Sequence, residues 1–248
     1  MDRIKLFCLP YAGGSSDFYR KWVKSLDENI FLYPLELRGR GGRYQLPFCN
    51  SIEEAVDDIF ETVRNEIGTD RYAIFGHSMG TILAYELSRK LIDSGYCEPV
   101  HIFFSGRYPP HFVKETKLRH LMTDNEIIED MTALGGMSGN LLKLTGLLKL
   151  FVRTLRADYK MIDTYRNVHP LEKYNFDISV LRGKEDAIFT GEDIDAWKEY
   201  TDKTCMIYEY DGGHFFLHDR MEDIAGIINN TLNRGQKCPM RVEGQYGQ

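Results

Sequence analysis

Gly76-His77-Ser78-Met79-Gly80 is the part of this chain whose residue types and spacing most directly imply chemistry. An apolar, β-prone run, Tyr72-Ala73-Ile74-Phe75, leads into it, and a helix-prone run from Thr81 to Arg89 leads out. A serine between a strand and a helix, with glycine two residues away on each side, is the pattern of a nucleophile elbow. There a strained turn throws the hydroxyl clear of the sheet. The glycines are needed because a Cβ at either position would meet the neighbouring strand or helix. The five residues alone would also suit an ordinary glycine-rich loop; the strand before and the helix after make Ser78 the candidate nucleophile.

A serine hydroxyl attacks only when a base takes its proton, and the base needs a third group to fix its tautomer. Seven histidines compete for that role. His77 lies inside the elbow, where its side chain should point away from the hydroxyl. His101 falls within a β-prone run, and His111, His120 and His169 fall in or beside a long helical segment. His214 follows the β-prone run 205–210 through Asp211-Gly212-Gly213, at a strand's carboxyl end. It also comes after the serine, in the chain order Ser…acid…His. His218, one helical turn on, is the runner-up. For the acid, the run 178–182 leads into Gly183-Lys184-Glu185-Asp186, where Asp186 is preferred over Glu185. Asp211 is a further rival.

A tetrahedral intermediate also needs backbone donors for its oxyanion. One is expected from the residue after the nucleophile, Met79. The second is expected from the loop Pro10-Tyr11-Ala12-Gly13-Gly14 after the first β-prone run, with the Ala12 amide as candidate. This loop lacks the Lys-Ser/Thr of a phosphate-cradling P-loop.

These residues can meet only if strands and helices alternate. β-prone runs lie at 4–9, 30–37, 72–76, 100–105, 178–182 and 205–210, and helix-prone runs at 17–26, 51–67, 79–94, 191–200 and 220–232. Ser51 with Glu54 suggests a capping box for the second helix. Such alternation implies an α/β fold with a mostly parallel sheet covered on both faces, functional loops gathering at the carboxyl ends of the strands. From about 107 to 170 the alternation stops and only helical material is expected. Leu141, Leu144, Leu148, Phe151 and Leu155 mark one apolar helix face there, behind the break Gly135-Gly136-Met137-Ser138-Gly139. We read 1–234 as a single domain carrying this segment as a helical lid, though a helical subdomain packed on the core would give the same periodicity. The tail 235–248, rich in Gly, Gln and charge, is expected to be disordered.

The 248 residues suffice for one large core. A net charge of −6 argues against general affinity for nucleic acid or anionic membrane, and no apolar run approaches a membrane span. The five cysteines have no metal-ligand spacing. Their odd number, and the lack of a secretory leader at the start of the sequence, give the expectation of reduced thiols in a cytoplasmic protein. Cys8, Cys97 and Cys205 are expected to behave as small buried hydrophobes.

With these residues placed, the chain resembles the type II (editing) thioesterases of non-ribosomal peptide and polyketide synthetases, members of the α/β-hydrolase superfamily. The resemblance runs from about 6 to 232. It is carried by Leu9-Pro10-Tyr11-Ala12-Gly13-Gly14, by Glu36-Leu37-Arg38-Gly39-Arg40-Gly41-Gly42-Arg43, and by the elbow with its Met79. Leu155-Arg156-Ala157-Asp158-Tyr159 with Thr164-Tyr165, Gly183 to Asp186, and Gly213-His214-Phe215-Phe216-Leu217 complete it. Arg38 stands where the family usually has proline, and Lys184-Glu185 where it usually has an Asp-x pair.

The resemblance implies an α/β-hydrolase fold. It also implies hydrolysis of acyl thioesters held on the 4′-phosphopantetheine arm of acyl- or peptidyl-carrier protein domains, clearing misprimed or stalled synthetases. Ser78, His214 and Asp186 would be the triad, with Met79 and Ala12 as oxyanion donors. No metal or dissociable cofactor is implied, and a monomer is expected. Carrier domains are typically acidic, so a basic docking surface is expected; Arg38, Arg40 and Arg43 are one option, and Lys143, Lys149, Arg153 and Arg156 another. The same triad would serve an esterase or lipase on soluble esters. An acyltransferase or an inactive carrier-binding scaffold are the other readings.

Overall fold

The computed structural model describes residues 3–68, 70–112, 117–137 and 144–234. The expected disordered tail, together with Ser138, Gly139, Leu141 and Lys143, lies outside the described residues.

Six parallel strands form one sheet in the order β2-β1-β3-β4-β5-β6: β1 Ile4–Leu9, β2 Ile30–Pro34, β3 Arg71–His77, β4 His101–Ser105, β5 Ile178–Gly183 and β6 Cys205–Tyr210. β1, β4 and β5 are buried at every position, and β3 at every position but its first. The edge strands β2 and β6 are largely half-buried. Continuous apolar runs in the middle and mixed ones at the edges are what a sheet covered on both faces demands. The chain winds outward from β1 to β2, then returns to build β3 to β6 on the other side. That places a topological switch between β1 and β3, where such sheets open a crevice at their carboxyl ends. Register brings Leu9 opposite Gly76, His77 opposite Ser105, and Gly183 opposite Tyr210, so the loops after β1, β3, β5 and β6 emerge on one edge.

The covering helices are α1 Asp17–Arg20, α2 Ile52–Ile67, α3 Met79–Asp93, α4 Asp124–Ala133, α5 Thr145–Thr164, α6 Gly191–Ile194 and α7 Met221–Asn233. The helices expected over 17–26 and 191–200 each run one α-turn and then tighten to 3-10 geometry, at Lys21–Lys24 and Asp195–Tyr200. Both carry an i,i+3 aromatic pair: Tyr19–Trp22 with ring centroids 5.2 Å apart, and Trp197–Tyr200 at 4.9 Å. Three residues per turn stacks such a pair on one buried side. β2 stops at Pro34, short of the expected 37, since its ladder with β1 ends at the Cys8–Pro34 pair. The expected capping box at α2 is half-formed. Ser51 Oγ accepts the Glu54 amide at 3.2 Å, but the Glu54 carboxylate takes the Asn50 amide, at 2.8 Å, instead of that of Ser51.

Between β4 and β5 the described residues hold a 3-10 turn at Arg119–Leu121, then α4 and α5, and no named strand. The expected apolar stripe of α5 is buried only in its second half. Leu155 is fully buried and Leu148 and Phe151 are half-buried, but Leu144 is exposed, as are Leu147 and Leu150. Cys8 is buried as expected and Cys205 half-buried; Cys97, in the loop after α3, is exposed and departs from the expectation. Among the described residues no helix is long and apolar enough to cross a membrane.

Candidate active site

Ser78 is the only non-glycine described with positive φ, at +55°. Such a conformation costs a β-carbon residue energy and persists only where the surroundings impose it. Here they do. The Ser78 amide donates to the Ser105 carbonyl at 2.8 Å, and the Thr81 hydroxyl lies 3.0 Å from the Gly76 carbonyl and 2.8 Å from that of Ser105. A Cβ on Gly76 would come within 2.0 Å of the Gly80 carbonyl oxygen, and one on Gly80 within 2.5 Å of the Leu9 carbonyl oxygen. The two glycines are thus what allow α3 to start against β1 and β3.

The elbow holds the Ser78 hydroxyl against a second loop. His214 Nε2 is 3.0 Å from Ser78 Oγ, and His214 Nδ1 is 2.8 Å from Asp186 Oδ2. Asp186 is itself fixed: its Oδ1 accepts the Ile188 amide at 2.8 Å and the Phe189 amide at 3.3 Å. All three side chains are nearly withdrawn from solvent. With Nδ1–H donated to Asp186, the neutral imidazole presents a lone pair at Nε2 to the serine proton, the arrangement required of a general base. The β5 and β6 loops meet closely because Gly183 packs directly on the carbonyls of Gly212 and Gly213, where a Cβ would lie at 2.3 Å.

The rivals are occupied elsewhere. His218 Nε2 lies 3.3 Å from the Tyr11 hydroxyl, and Asp211, exposed, pairs with Lys184 at 2.6 Å. Glu185 accepts the Gly212 amide. His77 turns away from the hydroxyl, with Nδ1 2.9 Å from Ser105 Oγ, and full burial pulls its pKa well below the usual value, keeping it neutral. His101 pairs with Ser179, His111 with Tyr200, and His120 with Asp163.

Met79 is the first residue of α3, so its amide has no intrahelical acceptor. Among the described residues no acceptor takes the Ala12 amide either. Ala12, Ser78 and His214 all line one cavity of about 650 Å³, whose walls come from the loops after β1, β4 and β5 and from α4 and α5. Two features of this surround are not evident from spacing. Asp158, on the inner face of α5, receives the Gly13 amide at 2.8 Å and a two-pronged contact from Arg40. Arg40 also donates to the Gly14 carbonyl at 3.1 Å. The residue after Ala12 is thereby tied to α5. The sole hint was that Arg40 and Asp158 both fall in the quoted family motifs.

This arrangement removes Arg40 from the first docking option and leaves Arg38 and Arg43 partly exposed. Arg40 is buried against Asp158, while Arg43 and Arg38 both pair with Asp58, at 2.6 and 2.8 Å. In the second option, Arg156 is taken up by Asp124 and by the His120 and Met122 carbonyls. Arg153 lies over the Phe48 ring at 5.4 Å. Among the described residues no cluster of three or more His, Cys, Asp or Glu is placed to hold a metal.

Comparison with known proteins bears on what such a site does. A thioesterase domain family model matches residues 4–232. The gramicidin S biosynthesis protein GrsT of Aneurinibacillus migulanus is 29% identical over 231 residues, covering 93% of this chain and 89% of that protein. The crystal structure of ClbQ from the colibactin NRPS/PKS pathway superposes with a TM-score of 0.90 at 31% identity, covering 94% of this chain and 98% of the other. The type II thioesterase BorB from the borrelidin biosynthetic cluster superposes at 0.85 with 30% identity, covering 93% of each chain. The chain therefore belongs to the thioesterase family of the α/β-hydrolase superfamily, enzymes that hydrolyse thioesters, and its relatives include type II thioesterases of NRPS/PKS pathways.

Proposed function

We propose that this protein releases acyl groups from the phosphopantetheine arm of acyl- or peptidyl-carrier protein domains, restoring synthetases that carry the wrong or a stalled acyl group. The observation that carries the reading is the Ser78–His214–Asp186 hydrogen-bond chain facing a cavity large enough for an acyl chain and the end of a thin arm.

In the first half-reaction Ser78 Oγ bonds to the thioester carbonyl carbon while its proton passes to His214 Nε2. The oxyanion is received by the Met79 and Ala12 amides. The C–S bond then breaks, and His214 returns the proton to the leaving sulfur, giving the pantetheine thiol. In the second half-reaction water bonds to the acyl carbon, His214 takes its proton, and the Oγ–C bond breaks with return of that proton to Ser78. The products are a carboxylic acid and a free thiol, and no dissociable cofactor enters. Asp186 holds His214 in the required tautomer throughout.

The test is release of an acetyl or aminoacyl group from a loaded carrier domain by wild type and by Ser78→Ala. Release should fall to background in the variant. Undiminished release would remove both nucleophile and mechanism. A marked preference for a soluble ester over the same acyl group on a carrier would replace the proposal with a general esterase.

A further inference from the structure

Arg107 is the second residue after β4, the strand paired with the elbow strand β3. Its backbone is pinned: the Trp197 indole N–H donates to the Arg107 carbonyl at 3.0 Å, and Gly106 before it donates its amide to the Leu181 carbonyl at 2.9 Å. Its side chain, half-buried, lines the same cavity as Ser78 and His214. Among the described residues no carboxylate lies within ion-pair distance of it. Its contacts are weaker ones, the Tyr108 ring face with centroid 4.8 Å away and the Tyr108 hydroxyl at 3.5 Å.

Among the described residues lining this cavity, the one carboxylate acting on that cation is Asp163, and it lies beyond ion-pair distance. Arg119 lies 3.2 Å from Asp130, and Arg166 caps the Asp163 and Tyr165 carbonyls. Asp163 is the single carboxylate among the cavity's described lining residues, and its Oδ2 is taken by the His120 ring and amide. Three arginines thus face one engaged carboxylate. Withdrawing a guanidinium from water without a partner is costly, and burial pulls Arg107 below the ordinary arginine pKa. A ligand carboxylate would relieve that cost, and a guanidinium fork matches it with two parallel hydrogen bonds.

We propose that Arg107 makes this cavity a site for acyl groups that end in a carboxylate, the half-thioesters of short dicarboxylic acids. This rests on the hydrolytic reading above. The thioester end sits at Ser78 and the distal carboxylate at Arg107. The backbone anchors from Trp197 and Leu181 fix the point from which the guanidinium reaches into the cavity, and a neutral acyl chain offers that guanidinium no charged partner.

The experiment compares near-isosteric pairs on one carrier domain: succinyl against butyryl, and malonyl against propionyl, where a carboxylate replaces a terminal methyl. In wild type the succinyl:butyryl ratio of kcat/KM should exceed one. In Arg107→Met it should fall at least about tenfold, equivalent to ~1.4 kcal/mol, with Arg107→Lys between the two. A wild-type ratio at or below one, or an unchanged ratio in both Arg107→Met and Arg107→Gln, overturns the proposal. Fluorophosphonate labelling of Ser78 checks that each variant retains a folded site, and Arg107→Gln carries the comparison if the Met variant does not label. Should wild type release neither acyl group from the carrier, the carrier reading fails. The Arg107 proposal is then decided by the same ratio on p-nitrophenyl succinate and butyrate.

Discussion

Arg40 and Asp158 meet inside the protein, Nη1 to Oδ2 at 2.7 Å and Nη2 to Oδ1 at 2.5 Å, with both side chains almost wholly withdrawn from solvent. The same carboxylate accepts the Gly13 amide. One ion pair therefore joins three segments: the loop after β2, the β1 loop that carries Ala12, and α5. A buried pair is weak evidence of net stability, because desolvating both ions offsets much of their attraction. Its clear consequence is geometric, a fixed separation between the cavity's α5 wall and the backbone beside the proposed oxyanion donor.

Asp158→Ala should therefore cost more than an ordinary polar truncation. It strands a buried guanidinium and the Gly13 amide, and the expected loss is about 3–5 kcal/mol by urea denaturation. The double variant Arg40→Met/Asp158→Leu, which removes both charges, should recover most of that stability but not the kcat lost with the Gly13 anchor. Equal stability for wild type and Asp158→Ala would show the pair to be dispensable.

The proposed catalytic residues were legible in the sequence because their determinants are local. Glycine spacing marks the elbow, and a strand-end rule places Asp186 and His214 without any knowledge of contacts. Arg40–Asp158 is different in kind. The partners are 118 residues apart, and apolar periodicity on α5 cannot say that an aspartate also faces inward. Nor can it say how far a helix lies on the core, which is why Leu144 was expected inside and stands exposed. The tightening of 17–26 and 191–200 into 3-10 turns was not readable either, because the i,i+3 spacing of Tyr19 and Trp22 and of Trp197 and Tyr200 also suits one face of an α-helix.

Gly76 and Gly80 should tolerate no side chain. At Gly80 the added Cβ would meet a β1 carbonyl, and at Gly76 the carbonyl of Gly80 itself; neither is the end of a flexible side chain that could swing aside. Gly76→Ala and Gly80→Ala are expected to lose several kcal/mol, in the range of severe core overpacking, and to be recovered largely as insoluble protein. Gly146→Ala, where nothing lies within 4 Å of the new atom, is the matched control and should behave as wild type. Soluble Gly80→Ala with a wild-type thermal midpoint would contradict the close approach of α3 to β1.

Acid should destabilise the fold through its buried histidines. Burial lowers the pKa of His101 to about 4, and that of His77 well below its usual value. Unfolded, each titrates near ~6.5. Between the folded and unfolded values the unfolded chain binds more protons, so stability rises with pH across this window. The contribution is complete above about pH 6.5 and is lost as pH falls toward 4. Urea midpoints measured from pH 7.5 to 4.5 should fall, and His101→Gln should fall less, by about 2–3 kcal/mol at the acid end. Parallel curves for the two proteins would mean that His101 titrates alike folded and unfolded.

Asp186→Asn isolates the orienting role from the fold. The asparagine carbonyl can still accept the Ile188 and Phe189 amides at the position of Oδ1, so the β5 loop keeps its turn. What then faces His214 Nδ1 is an amide NH2, a donor where an acceptor stood. The imidazole must turn its lone pair toward Asn and carry its proton on Nε2, against Ser78 Oγ. In that tautomer it cannot take the serine proton. By the behaviour of serine triads generally, kcat should fall by about 10⁴ with little change in thermal midpoint. Labelling of Ser78 by a fluorophosphonate should slow in parallel, since it needs the same proton transfer. A fall of less than tenfold, with the fold intact, would mean that the His214–Asp186 contact is structural and that the tautomer is fixed by something else.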